Sequence, residues 1–542
     1  MKMLINSIIL FCTSASVHWV GSRFNGLTLD DAHTILKNPV ILSETLPSIK
    51  TLLSTDYWGT PLHHPNSHQS FRPVTTVSFY IDAGGDPASP QAAHRLHQTS
   101  ILLHAACSVL VFGLAIRLHA DSTHALLGGL LFSVHPIVTE SVANVTGRAE
   151  TLAAFFGLLY YLVMTAEKCT YPLSLRFCLG IPLSLLATFS KEVGFASTIV
   201  AAVHLWMYDE SWISATLATL LSFAVASIRL QFLYFKPSFN VVDNPLSNST
   251  LSWKSQIMSA GFVNTKSLAL LFNPFSVLCP DYSGAGCPII TDMLDYRNLY
   301  TLFIGLLIVV SFVFSIQKRE SSGTAILVLL WWAVPMSLAS NVFLHIGFCI
   351  GERALYSPLI GVSVGFAVIV LPWCQRRTLK GHRWILASAL LACFVAMTER
   401  TIKRDREWSN NLKLWTSAER QCVVSGRILN NLGKALQRSG NFEVSKTMYE
   451  RAIKIQPDGP LPYFNLGMLE QKNMNCTAAL IFYKQAVERH PMHTASWNNM
   501  GACALQSGKR DDAIHYFTKA LTLAPGSLSM KNNLKAAIQM KT

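Results

Sequence analysis

Eleven stretches of this 542-residue chain are apolar runs of membrane-crossing or near-crossing length: roughly 4–20, 98–116, 123–141, 150–166, 173–189, 193–208, 212–232, 298–316, 324–345, 353–372 and 384–398. Within lipid every backbone N–H and C=O must find a partner inside the segment, so runs like these fold as helices. Composition agrees: apolar residues make up 51% and charged residues only 14%, against about 25% charged in ordinary globular domains. Mean hydropathy is +0.33. The charge deficit is confined to 1–20 and 98–400, and the sequence beyond 400 has a soluble composition. The expected fold class is all-α, a polytopic helical bundle followed by a second, soluble helical part.

Charge in the loops sets orientation. Lys and Arg total 44 against 30 Asp and Glu, a net +14. In a soluble chain this excess would suggest nucleic acid, but here much of it lies between apolar runs. If only Lys2 precedes the first run, that run leads outward, as a signal peptide or a first span, and the even-numbered runs return to the cytosol. Four of the five returns carry cations (Arg117; Lys168; Lys318 and Arg319; Arg376, Arg377, Lys380 and Arg383), as the positive-inside bias requires. Asp209 and Glu210 mark the fifth. An odd number of spans leaves the C-terminal part luminal, against the pull of Arg400, Lys403, Arg404 and Arg406. The division is then 1–20, a luminal loop 21–97 with a short amphipathic helix at 43–54, spans two to seven over 98–232, and a loop 233–297. Spans eight to eleven occupy 298–400, with a linker 401–422 and a repeat domain 423–542. Within the second loop Ser267 to Phe275 is apolar but too short to cross, and would lie in the interface. Asn248 and Asn475 head Asn-X-Thr sequons on the luminal side, and Cys279 and Cys287 could pair there.

The tail repeats every 34 residues. Gly433, Gly467 and Gly501 align, as do Ser445, Ala479 and Ala513; Tyr449, Tyr483 and Phe517; Ala452, Ala486 and Ala520; and Pro457, Pro491 and Pro525. Small residues at helix crossings, an aromatic filling the gap and Pro closing each second helix form the tetratricopeptide pattern. One such helix pair cannot bury its own apolar face, so three stack as an α-solenoid, with 528–539 as a capping helix. Such solenoids hold peptides or protein partners.

The polar residues of the membrane part gather on one side. Asp30 and Asp31 follow run one, and Arg72 lies in the first loop. His135, Glu140, Arg148 and Glu150 surround the end of run three. Lys191 and Glu192 join runs five and six, and Glu352, Arg353 and Tyr356 open run ten. All fall on the luminal face, where ionisable groups beside lipid are costly unless paired or used. Arg148, Lys191 and Arg353 suit a phosphate. One of Asp30 and Asp31 suits a general base acting on a hydroxyl, with mutual repulsion raising one pKa. A divalent metal could bridge either acid to a phosphate. No P-loop, Rossmann, HExxH or GxSxG motif occurs.

Read together, Asp30-Asp31, Asp56-Tyr57-Trp58-Gly59, Ser70-Phe71-Arg72-Pro73, His135-Pro136 with Glu140, Gly147-Arg148-Ala149-Glu150, Phe189-Ser190-Lys191-Glu192, Cys279-Pro280-Asp281 and Gly351-Glu352-Arg353-Ala354-Leu355-Tyr356 resemble the transmembrane-and-tetratricopeptide-repeat O-mannosyltransferase family. The resemblance covers essentially the whole chain. It implies a GT-C glycosyltransferase architecture in the endoplasmic reticulum membrane, with luminal repeats. The implied donor is dolichyl phosphate mannose, and the acceptors are Ser and Thr hydroxyls, those of cadherin-type domains included. Asp30-Asp31 would be the catalytic acidic motif of an inverting displacement. Arg72, His135, Glu140, Arg148, Glu150, Lys191, Glu192, Glu352, Arg353 and Tyr356 would line the donor side. The chain departs in having three clear repeats where members commonly have more. Two other classes compete: a non-catalytic adaptor recruiting partners through its repeats, which tolerates loss of the acids, and a transporter, which would need polar groups in mid-span.

Overall fold

Every one of the eleven apolar runs is helical in the computed structural model, which describes residues 1–24, 26–45, 47–64, 67–166, 171–208, 212–233, 241, 244–317, 322–343, 345–378 and 382–540. The helices are Lys2–His18, Pro90–Arg117, Ser122–Val134, Arg148–Met164, Leu173–Ser190, Ala196–Tyr208, Trp212–Leu230, Tyr296–Gln317, Ser322–Ala339, Tyr356–Gly365 and Arg383–Glu407. Among the described residues six helices are long and apolar enough to cross a membrane, or seven if the bent pair Ser122–Val134 and Pro136–Val142 is one span. Of the remaining apolar helices, Arg148–Met164 has 17 residues and Ala196–Tyr208 has 13. Of the topology-setting charges, Lys168, Asp209, Glu210, Lys318, Arg319 and Lys380 lie outside the described residues, as does Asp243. No β-strand occurs among the described residues beyond one isolated bridge, Thr55 to Pro61.

Local chemistry sets the helix ends. Pro90 occupies the first turn of Pro90–Arg117 behind Ser89, whose hydroxyl accepts from the Ala92 N–H. This N-cap starts the helix eight residues before the apolar run, so His94, Arg95 and His97 are helical. The 47° bend in the third run falls at His135-Pro136, because the residue before proline is driven out of the helical region. The amphipathic helix expected at 43–54 is confined to Ile49–Ser54, opening at an Ser48 cap. The apolar stretch from Ser267 ends a 20-residue helix, Trp253–Phe272, rather than standing alone in the interface, and stops short of Pro274. The stretch 401–422, expected as a linker, is mostly helical, shared by Arg383–Glu407 and Asn411–Gln421.

The chain forms two compact units, one of Met1–Pro280 with Ile289–Lys413, the other of Asp281–Pro288 with Leu414–Thr542. In the first, the end of the first helix is tied to the end of the last by His18 Nδ1 and Asp405 Oδ2 at 2.9 Å, and Thr401 donates to the Val134 carbonyl at 2.8 Å. Two of the four cations after the last run have internal partners. Arg404 is buried and faces Glu352 and Glu407, and Arg400 donates to the Ser276 carbonyl. Internal partners of this kind satisfy charge without the aqueous contact on which the positive-inside bias rests.

In the second unit the helix pairs Gly426–Arg438 with Phe442–Ile455, Pro460–Lys472 with Cys476–Arg489, and Thr494–Gln506 with Arg510–Leu523 are followed by Leu528–Gln539. The aligned glycines and aromatics touch. A Cβ on Gly433, Gly467 or Gly501 would meet the Tyr449, Tyr483 or Phe517 ring at 2.5–2.6 Å. The two tyrosine hydroxyls donate to Gln437 and Gln471 at 2.8 and 2.7 Å. Asn475 is exposed and caps Cys476–Arg489, and Asn248 accepts from the Thr250 N–H and hydroxyl. Cys279, Cys287, Cys349 and Cys422 are all disulfide-bonded, so the bonded set is larger than the loop pair expected.

Candidate active site

Asp30 and Asp31 occupy the start of a single helical turn, Asp31–Thr34. Their side chains do different things. Leu29, just before them, is held at φ 52°, a left-handed conformation that costs a non-glycine residue about 1–2 kcal/mol, and its N–H donates to Asn411 Oδ1 at 3.0 Å. Asp31 turns inward and is fully buried. Its Oδ2 accepts from the Thr28 N–H at 3.1 Å and its Oδ1 from the Thr146 N–H at 2.8 Å. Burial pushes its carboxyl up from 3.8 to about 7, against the opposing pull of the Thr146 and Thr28 amides. Asp30 turns the other way, is about a quarter exposed, and accepts from Arg353 Nη1 at 2.9 Å.

Arg353 gathers a second acid. Its backbone N–H donates to Glu140 Oε2 at 3.0 Å, with Nε 3.8 Å from Oε1. Glu140 is placed by the short turn after Pro136, where His135 Nδ1 accepts from the Ile137 N–H at 3.2 Å; His135 thus acts as a buried cap. Gly147 is required beside it, since a Cβ there would lie 2.6 Å from Ser141 Cα and 2.7 Å from the Glu140 carbonyl. The Tyr57 hydroxyl donates to the Thr146 carbonyl at 2.8 Å, and burial pushes that phenol well above its ordinary range.

A neighbouring group is built on the link between the fifth and sixth apolar helices. Lys191 donates to Glu150 and lies within electrostatic reach of Arg72 and Arg353. Glu192, 39% exposed, receives two guanidiniums, Arg72 Nη2 at 3.1 Å and Arg229 Nη2 at 2.7 Å. Arg72 also lies 5.0 Å over the Tyr57 ring, a cation–π contact.

Other expected donor-side residues face inward. Arg148 is fully buried, with Asp82 at 2.7 Å and bonds to Ser78, Ser100 and the Leu96 carbonyl, so its guanidinium is occupied within the bundle. Glu352 accepts from the Cys279 N–H and faces Arg404 at 3.5 Å. The Tyr356 hydroxyl meets His104 Nδ1 at 2.8 Å, away from lipid and solvent. Arg229 was not among the expected residues. Its signal was available: it is the one charge in the 212–232 run, and an ionisable residue there is a functional candidate by default.

Fold and site together define a multispan membrane protein with a polar cluster and a tetratricopeptide solenoid. The model described as "Protein O-mannosyl-transferase TMTC, DUF1736" matches residues 235–309, and tetratricopeptide-repeat models match 426–458 and 494–527. Over residues 235–309 the chain is similar to this TMTC family. Protein O-mannosyl-transferase TMTC3 of Homo sapiens is 30% identical over 488 residues, 83% of this chain and 51% of that one. Protein O-mannosyl-transferase F38B6.6 of Caenorhabditis elegans is 26% identical over 466 residues, 84% of this chain and 63% of that one. The chain thus spans about half the length of the human relative. An Archaeoglobus fulgidus oligosaccharyltransferase structure aligns at 13% identity with a TM-score of 0.41, over 83% of this chain and 58% of that one; a likeness at that score does not establish a shared fold.

Proposed function

We propose that the chain is a protein O-mannosyltransferase of the endoplasmic reticulum membrane. It takes mannose from dolichyl phosphate mannose and places it on Ser or Thr hydroxyls of luminal protein domains, cadherin-like domains among them. The names of its relatives support O-mannosylation. The observation that carries the residue assignment is the split within the acidic pair: Asp31 is sealed and spends both oxygens on backbone amides, whereas Asp30 is partly exposed. Asp30 is therefore the general base, and Asp31 positions the turn that carries it. The disulfide-bonded cysteines between 279 and 422 support an oxidising, luminal side for that region and for the repeats.

In the proposed step Asp30 takes the proton of the acceptor hydroxyl as its oxygen attacks the mannose anomeric carbon. The bond from that carbon to the phosphate oxygen breaks, and dolichyl phosphate leaves. Attack opposite the leaving group inverts the anomeric centre. Arg353 holds Asp30 in place, and Lys191 and Arg353 face the negative charge that develops on the phosphate. Arg148 is assigned to the scaffold. Among the described residues no three His, Cys, Asp or Glu side chains are placed to hold a divalent ion, and no step here is routed through an ion bridging one acid to the phosphate.

The test is transfer of labelled mannose from dolichyl phosphate mannose to a folded cadherin domain by reconstituted protein. Asp30→Asn is expected to lower the rate by about 10²–10⁴-fold. No transfer by the intact chain, with an acceptor that another enzyme modifies, would favour an adaptor acting through its repeats.

A further inference from the structure

Two guanidiniums share one carboxylate at the end of the seventh apolar helix, and this leaves them under-served. Arg229 sits in the last turn of Trp212–Leu230 and is 7% exposed. Its Nη2 reaches Glu192, while its Nε and Nη1 are buried with no hydrogen-bond partner among the described residues, as is Nε of Arg72. Leaving a buried charged donor unpaired is costly. Lys191 adds a third cation beside Glu192, and its own partner is Glu150. Three cations against two carboxylates leave one positive charge and three unmet donors at this point.

The surroundings indicate what the missing anion is attached to. The Arg229 guanidinium lies 5.4 Å over the Phe71 ring, and Phe71 stacks on Phe232 at 4.1 Å and meets Phe189 edge-on at 5.6 Å. Just beyond, Leu230 and Leu233 are exposed apolar side chains on the outer surface of the bundle. A free phosphate would use the cations and waste the apolar margin. A phosphate on a hydrocarbon chain uses both. Glu192, the most exposed member of the group, is on this view a resident stand-in: its carboxylate occupies the Arg72–Arg229 fork until a phosphate displaces it into solvent.

We propose that Arg72 and Arg229 form the seat for the phosphate of a polyisoprenyl-phosphate lipid, with Glu192 as a displaceable internal anion. This rests on the transferase reading for the identity of the lipid, and adds Arg229 and the placeholder role. The guanidinium fork gives bidentate recognition that an ammonium cannot reproduce. The two halves of the proposal carry opposite signs: removing an arginine weakens binding, and removing the carboxylate strengthens it.

The experiment measures binding of dolichyl phosphate, without any sugar, to the full chain in phosphatidylcholine nanodiscs, by native mass spectrometry. Arg229→Gln is expected to weaken binding by about tenfold or more and Arg229→Lys by less, while Glu192→Gln tightens it by about threefold or more, with ~1.4 kcal/mol per tenfold. A gain in affinity cannot arise from misfolding, so the Glu192 variant guards against a trivial loss. Inorganic phosphate and phosphatidylglycerol are the comparison arms. Equal binding of phosphatidylglycerol would overturn the polyisoprenyl assignment, and equal binding of inorganic phosphate would overturn the lipid requirement. Unchanged dolichyl phosphate affinity in both Arg229→Gln and Glu192→Gln would overturn the seat. Transfer is read separately on the same preparations: lipid binding that depends on Arg229 in a chain that never transfers mannose would sink the transferase reading and leave the seat standing. Transfer that survives Arg229→Gln with unaltered binding would do the reverse.

Discussion

Asp31→Asn should make its turn more stable as the pH rises, relative to the unaltered chain, and the sign of that dependence is the informative part. Asp31 is buried with two backbone amides on its oxygens, and its carboxyl titrates at about 7 rather than 3.8. Between those two values the folded turn keeps a proton that the opened turn has released. More protons are then bound in the folded form, so stability falls as pH rises through this window and levels off above about 7. A displacement from 3.8 to about 7 corresponds to about 4 kcal/mol of preference for the protonated acid. Asparagine carries no charge and has no such slope. At pH 3, where Asp31 is protonated in both the folded and the opened turn, the variant should trail the unaltered chain by about 1–3 kcal/mol, because its amide nitrogen cannot accept the second backbone N–H. By pH 8 the variant should be ahead by a few kcal/mol. Hydrogen exchange at the Thr28 and Thr146 amides, corrected for the intrinsic pH dependence of exchange, reads this locally. A difference that stays flat from pH 4 to 8, or a variant less protected at pH 8 than at pH 5, would falsify the assignment of Asp31 as a buried acid with a raised pKa. Transfer activity gives a second comparison, since a positioning residue should lose far less in its Asn variant than Asp30 does.

Other expectations are equally direct. Asp82→Asn strips the buried Arg148 of its carboxylate and should destabilise the bundle by about 3–5 kcal/mol, read as lost abundance and faster proteolysis in membranes. Gly467→Ala would press a Cβ to 2.5 Å from the Tyr483 ring; overpacking of about 1–3 kcal/mol should outweigh the gain in helix propensity, and exchange protection in Pro460–Lys472 should fall. An exposed Asn475 and a half-buried Asn248 should each carry a glycan if the region is luminal, so that Asn475→Gln and Asn248→Gln each remove one glycosidase-sensitive mobility step.

The repeat domain was readable because its signal is local and redundant. The glycine and the aromatic that meet are sixteen residues apart in every repeat, Gly467 and Tyr483 for example, so one contact is written three times. The apolar runs were readable for a similar reason, since hydrophobicity over twenty residues dictates a helix in lipid whatever it packs against. Crossing length was less legible, because helices such as Ala196–Tyr208 begin later than their apolar runs, here after the short turn Glu192–Phe195. Pairings were not legible at all. Nothing near Asp31 indicates that Thr146 will satisfy it, and nothing near Arg148 indicates that Asp82 will occupy it. Both facts come from long-range packing: one of the two candidate bases is sealed as a buried acid, and one candidate phosphate cation is already paired. Arg229 was visible as an isolated charge in an apolar run, but its significance depends on Glu192 and Arg72 arriving at the same place.

The bond between Asp30 and Arg353 joins residues 323 positions apart, and this has a consequence for synthesis. At about 5–20 residues per second, Asp30 enters its compartment roughly 16–65 seconds before its arginine is made, whereas the amide that satisfies Asp31, 115 residues away, follows after about 6–23 seconds. For most of the translation of the membrane unit the turn is anchored through Asp31 while Asp30 stays open to water. The ribosome thus builds the frame of the site first and closes its arginine latch last, so a nascent chain stalled before Arg353 displays an ordered acid with no counter-ion. Such a chain would be chemically distinct from the finished protein at the residue proposed as the base.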